Sequence, residues 1–560
     1  MKKYIQTLFV AFVVLAATSC SGNWLDVNQD PNVPTHPNIS QLLTNGQRSM
    51  SQAFGQGFFI GNNLSSYTHH LVSREVQNYG MMPGANNPQN TWASFYTNAL
   101  RSFEKVIELG DAEGNVLYSG IARTLLAFSI AKMVDLWGDI PFSEANIPGL
   151  VAPSVDPGED IYNAAFKLLD EALANFRDEN ATNVLRPGNA DVFYGGDVNK
   201  WIRLNNTIQL KLLLNTRNAR SYIPDWQPRL TALMGANNFM RSGEDFEFMF
   251  TNSSLPEERH PAFVAEWVNA GTTYYISPFF YEMMMGLTYN NIRNPFAGIE
   301  DPRTPYFFFR QLAPGTATAQ VSYRHGTFLS IFFADDGPNA NHGVANTMTK
   351  VGQYVAGGRF DDGAGRVAGE TLAASAGSNG GVAPFRLLSY HTFQFMLAEL
   401  AHVGAISGSA RTYLQAAMEA SIAHVNTQAG RHPGTPLITN ERRDEFIGFV
   451  LGLYDGATTD AAKLEIIMSQ KWIANFFVPT TAYTDFRRTG FPVLFNPANT
   501  QEPGYGVNPT PTPQSLRRVP LMTFRPFPRS LYYPQTTEVA VNPNLTQKTN
   551  LATPFVFWDR

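Results

Sequence analysis

Residues 156–176 read DPGEDIYNAAFKLLDEALANF. Ile161, Ala164, Ala165, Leu168, Leu169, Ala172, Leu173 and Phe176 recur at i, i+3, i+4 and i+7 spacing, which lays one apolar stripe along an α-helix. Asp156, Pro157, Glu159 and Asp160 stand before the stripe, where carboxylates meet the positive end of the helix dipole. A striped helix needs a partner, and a second helical pattern over about 198–219 supplies one.

Working outward, the same pairing recurs. Upstream, 98–109 and 116–137 read as two helices broken at Gly110 and Gly114. Downstream, 389–403 and 410–426 flank a Gly-containing turn, and 442–453 with 461–478 form a last pair. Four hairpins of roughly tetratricopeptide size predict a mostly helical scaffold in which neighbours share a core. No strict internal repeat is visible.

Between the helical blocks, over about 220–385, helical periodicity fades while Gly, Asn, Pro and aromatics rise. Tyr274, Tyr275, Phe279, Phe280, Tyr281 and Tyr289 cluster there, beside Met283, Met284 and Met285. A long irregular insertion usually carries function or is disordered, and the aromatic density argues against disorder.

The N-terminus has the shape of an export signal. Lys2 and Lys3 precede an apolar run over 8–17, then Thr18, Ser19 and Cys20. The run is about half the roughly twenty residues that a membrane-spanning helix needs. Cys20 is the only cysteine and falls at the signal's exit, which predicts lipidation there. The usual leucine three positions before the cysteine is Ala17 here, with Leu15 further back; ordinary cleavage nearby, leaving a soluble periplasmic protein with a free thiol, is the alternative. The expected organisation is a signal peptide (1–19), a flexible tether (20–40), N-terminal hairpins (41–219), an irregular aromatic-rich ligand-binding region (220–385), C-terminal hairpins (386–480) and a loop-rich segment packing on the scaffold (481–560).

Charged residues are only 16% and aromatics 13%, a balance nearer to an extracellular binding surface than to a cytosolic enzyme. A net charge of -5 argues against nucleic acid, which calls for clustered Lys and Arg. One cysteine allows no disulfide within the chain, so stability rests on packing.

Catalytic constellations are weak. Asp135 and Asp139 could stand a helical turn apart as a glycosidase pair, but nothing marks a cleft around them. In WGDIPF, Gly138 and Pro141 instead suggest a helix end, with Trp137 and Phe142 burying and Asp139 bonding the turn. Glu399 and His402 form one E-x-x-H where a di-iron bundle needs two. His69 and His70 point to different faces, so neither a metal nor any other cofactor is expected. Gly363 and Gly365 lack the preceding strand of a nucleotide fingerprint.

What survives is aromatic. Sugars stack on Trp and Tyr rings and bond Asn, Gln, Asp and Arg. Two segments fit: Tyr67 to Trp92, with Arg74, Gln77, Asn78 and Tyr79, and Tyr274 to Asn291, with Tyr275, Tyr281 and Tyr289. Most of these rings read equally well as core.

Several motifs point in one direction. They are WLDVNQDPN at 24–32, VDLWGDIPF at 134–142, DPGEDIYNAAFKLLDEA at 156–172 and GGDVNKWIRLNNTIQLKLLLNTR at 195–217. DPRTPYF at 301–307, LLSYHTFQFMLAELA at 387–401, RSLYYPQTTEVAVNPN at 529–544 and VFWD at 556–559 complete the set. In this order, across nearly the whole chain, they resemble the SusD/RagB family of Bacteroidetes outer-membrane lipoproteins. The resemblance implies a mostly helical body of four tetratricopeptide-like hairpins with an irregular ligand-binding part. It implies a protein lipid-anchored in the outer membrane and facing outward. Such a protein caps a SusC-like, TonB-dependent transporter and hands it oligosaccharides or, in some cases, peptides, without catalysis. A surface glycoside hydrolase and a purely structural helical adaptor are the competing readings.

Overall fold

The helix Val116–Trp137 occupies the predicted bounds and buries every one of its 22 residues except Val116 and Arg123. It is the one helix among the described residues long and apolar enough to cross a membrane, yet 89% of its apolar window is covered by protein, as befits a core helix. The protein is seen here as a computed structural model that describes residues 38–56, 59–73, 79–80, 84–269, 274–288, 293–316, 323–333, 347–494 and 526–560. Cys20, the signal and most of the tether lie outside them.

Val116–Trp137 packs between Arg101–Ala112 and Gly158–Arg177. The approach to the second is close: a Cβ on Gly120 would stand 2.7 Å from the Phe176 ring. The helix stops at Gly138, whose φ of 79° suits glycine and whose missing Cβ makes room for the Phe555 carbonyl. Asp139 then accepts from the Gly158 N–H at 2.8 Å, tying one helix end to the next helix start. Trp137 is buried as expected, whereas Phe142 is half-buried.

The pattern predicted over 198–219 ends earlier, at Val198–Asn215. Asn215 turns its amide to Asp135 at 3.2 Å, and Arg217 swings to Glu399 at 3.1 Å. Downstream, Tyr390–His402, Ala410–Ala429, Asn440–Gly456 and Asp460–Ala474 pack in succession, and a further helix, Pro479–Thr489, follows them. The mostly helical scaffold is therefore present, with short antiparallel strand pairs between its blocks.

Residues 220–385 are less irregular than their composition suggests. They contain the helices Trp226–Ala236 and Pro278–Met284 and the strand Phe246–Met249, which pairs with Pro384–Leu388. Nor do they hang off the scaffold. Phe280 packs edge-on against Trp472 at 5.0 Å and beside Phe476 at 4.5 Å, so the insertion and the C-terminal helices share one core. The chain's end packs on the N-terminal block, where Trp558 donates to Asp135 at 2.9 Å.

Candidate functional site

The aromatics singled out from sequence are placed unevenly. Tyr67 and Trp92 are each 2% exposed, Tyr79 6%, and Tyr275 and Tyr281 2% each. Tyr67 lies 6.0 Å from the Tyr79 ring, and Tyr79 bonds His69 Nε2 at 2.8 Å. Trp92 packs on Tyr96 and on the edge of Trp137. Tyr275 stands opposite Val72 in a strand pair. Tyr281 stacks on Phe328 at 3.6 Å and bonds His325 at 2.9 Å. A stacking platform needs a ring face open to solvent, and in this conformation these five rings are packed into the core. Tyr274 alone of the six described candidates is half-exposed. Arg74 and Tyr289 lie outside the described residues, as do Gln77 and Asn78.

Asp135, Asp139 and Glu399 are also structural. Asp135 is buried and accepts from Tyr162 and Trp558. Burial pushes its carboxyl up, against the pull of that Tyr162 bond and of nearby Lys211. Asp139 serves the helix start at Gly158. Glu399 is engaged by Arg488, Arg217 and Lys471. His69 and His70 are buried and their imidazoles are lowered to about 3 by desolvation, so both are neutral. Among the described residues no group of three His, Cys, Asp or Glu side chains is arranged to hold a metal ion.

An open cleft lies elsewhere. A cleft of about 760 Å³ runs between the helix Ile39–Phe54, the strand Phe246–Met249 and residues 256–269. Asn38 caps the helix by accepting from Ser40 N at 2.9 Å, and Leu43, Met50 and Phe54 bury one face. Thr44, Arg48 and Gln52 recur every four residues and so share the opposite face, turned to the cleft. Phe248 and Phe250 alternate along the strand and its continuation and present half-buried rings from the floor, 5.0 Å apart and nearly perpendicular. Val264, Ala265 and Asn269 close the far side.

Polar groups around this cleft divide in two. Glu257 is paired with Arg259, which holds its carboxyl below the usual range. Glu258 accepts from Thr251 at 3.1 Å. By contrast, Arg48, Gln52 and Asn269 have no side-chain partner among the described residues. Beneath the floor, Glu247 pairs with His424 at 3.1 Å. Burial opposes the charge on His424, but Tyr354, Glu247 and Asp245 outweigh it and raise the imidazole to about 10. Next to the cleft, sharing Ala265, a smaller hollow of about 30 Å³ is lined by Gln56, Asn62 and Tyr274. Sequence reading passed over this site because buried Gly46 and Gln47 interrupt the stripe of Ile39–Phe54. The Asn38 cap before Ile39 and the Phe248/Phe250 alternation were the available signals.

The described residues thus form a helical scaffold with a mainly apolar, open cleft, and Asp135, Asp139 and Glu399 are committed to structural contacts. Residues 31–510 match the model of SusD-like proteins, described as starch-binding and associating with the outer membrane, and the chain belongs to that family. Solved structures similar to it include a SusD homolog from Bacteroides fragilis, at 18% identity over 94% of this chain and 100% of that chain, with a TM-score of 0.66. A SusD homolog from Bacteroides uniformis is similar at 18% identity over 93% and 99%, TM-score 0.60. A chitin-binding SusD homolog from Flavobacterium johnsoniae is similar at 16% identity over 92% and 98%, TM-score 0.62. At such identities the likeness speaks to the fold. Comparison with curated protein sequences finds no match.

Proposed function

We propose that this chain is a cell-surface nutrient-binding lipoprotein, anchored through Cys20. In this reading it captures oligosaccharides or peptides and delivers them to a SusC-like, TonB-dependent outer-membrane transporter. The observation that carries the reading is the family match across residues 31–510, together with a fold shared over nearly the full length of SusD homologs. A related fold in a chitin-binding homolog supports a glycan as one ligand class. The tetratricopeptide-like hairpins serve as scaffold and the 220–385 region carries the ligand together with the Tyr67–Trp92 segment, with half-exposed Tyr274 the first contact to test and Arg74 and Tyr289 the next. The protein binds without turnover, since the carboxylates weighed for catalysis hold helices together instead.

Two measurements test this. Cys20→Ala should shift the protein from the membrane to the soluble fraction; a variant that stays membrane-bound removes the anchor. Purified protein incubated with glycan and peptide panels should retain a ligand and leave it chemically intact. Product that accumulates with pure protein, and is lost on mutating one carboxylate, replaces the binding reading with an enzymatic one.

A further inference from the structure

The cleft between Ile39–Phe54 and Phe246–Met249 has a lining ill-suited to a bare sugar. A sugar carries hydroxyls around every edge, and each one taken from water needs a partner. The floor and far side, Phe248, Met249, Phe250, Pro261 and Val264, offer none from their side chains. An aliphatic or aromatic side chain laid there gains about 25 cal/mol for each Å² of apolar surface removed from water. The unpartnered polar groups are also of a particular kind. Arg48 is exposed, lines the cleft and pairs with no carboxylate among the described residues. A guanidinium left open this way matches a carboxylate through two parallel N–H donors. Gln52, one turn on, and Asn269, across the cleft, each carry an amide donor and acceptor, the complement of a peptide bond. The acids on the rim do not compete for Arg48, because Glu257 is held by Arg259 and Glu258 receives Thr251.

We propose that this cleft binds a short peptide, with apolar side chains on Phe248 and Phe250 and a carboxylate on Arg48. The inference rests on the nutrient-binding reading and assigns one ligand class to one place, apart from the Tyr274 contact proposed above.

The test uses the full chain, immobilised, and a tryptic digest of casein, with retained peptides identified by mass spectrometry. Two variants accompany it: Ala265→Trp, which fills the cleft from an exposed position, and Arg48→Met, which removes the charge and keeps the length. Unchanged melting temperatures establish that both fold. A second digest has its carboxyls methylated, and an oligosaccharide panel is run in parallel. Retention by the native protein should fall at least ten-fold in either variant, and methylation should reproduce the Arg48→Met loss. No peptide retained above the Ala265→Trp background overturns the inference, and retention indifferent to both methylation and Arg48→Met overturns its carboxylate anchor. Glycan binding with no peptide retained leaves the family role standing and removes only this site; failure of both panels removes the nutrient-binding reading itself.

Discussion

Where the two helical blocks meet, Arg488 and Glu399 are wholly buried and each has more than one partner of opposite charge; at the cleft, exposed Arg48 has none among the described residues. Arg488 also holds Asp485 at 2.8 Å, Lys471 reaches Asp485 at 2.8 Å, and Arg217 adds a bond to Glu399 from the end of Val198–Asn215. Burial alone would push the Glu399 carboxyl up, but Arg488, Lys471 and Arg217 more than reverse it. At the junction, charge is a fastening between N- and C-terminal helices. At the cleft, charge is left open. Most of the described aromatic candidates are core, so the proposed cleft site rests on open polar groups beside an apolar floor and not on aromatic density.

Acidification should produce the largest effect, because it strikes both regions. His69 and His70 in the scaffold and His260 beside the cleft are each lowered to about 3 by burial, from an ordinary 6.5. Below about 6.5 the unfolded chain takes up protons that these buried rings refuse, so stability falls as pH drops from there toward 3, by on the order of 1.4 kcal/mol per pH unit for each ring. His424 runs the other way. Its folded value is raised to about 10, so its contribution is complete below about 6.5 and is lost as pH rises toward 10. Melting curves across pH should peak near neutrality, with the steeper side in acid. A flat acid limb would show that these imidazoles meet water in the folded state.

Glu399→Gln should come next. It strands Arg488, Lys471 and Arg217 around a neutral amide, at a cost of about 3–5 kcal/mol in denaturant unfolding. Tyr281→Ala should be comparable, about 3–5 kcal/mol, because it empties a stacked core site. Tyr274→Ala, at a half-exposed ring, should cost about 1 kcal/mol or less. If Tyr281→Ala leaves stability intact and weakens a ligand instead, the insertion's rings are a binding face after all. Arg48→Ala is the smallest: stability should stay within about 0.5 kcal/mol. A large loss on that substitution would mean that Arg48 is structural and that the contrast with the junction is false.

Local order was legible to different depths. The bounds of Val116–Trp137 follow from its apolar run between Gly114 and Gly138, and those of Gly158–Arg177 from its stripe and acidic start. Helix spacing is a local property, so a local reading finds it. The helix ends at Asn215, four residues before the predicted 219, and the bond of Asn215 to Asp135, 80 residues away, is a contact that no local pattern records. Glu399 with His402 raised a metal question on spacing alone, yet the partners of Glu399 come from positions 217, 471 and 488.

By itself the sequence determined the helical periods, the ordered motifs and hence the family, because these are written in neighbouring residues and their order. Only the tertiary structure decided which rings are covered. A tyrosine in an apolar run packs against protein or ligand according to what lies opposite, and for Tyr281 that is Phe328. It alone brought Arg48 across from Phe250 and Asn269, more than 200 positions along the chain, and left its charge without a partner among the described residues. A cleft is defined by the space between distant segments, and no local pattern of residues records that space.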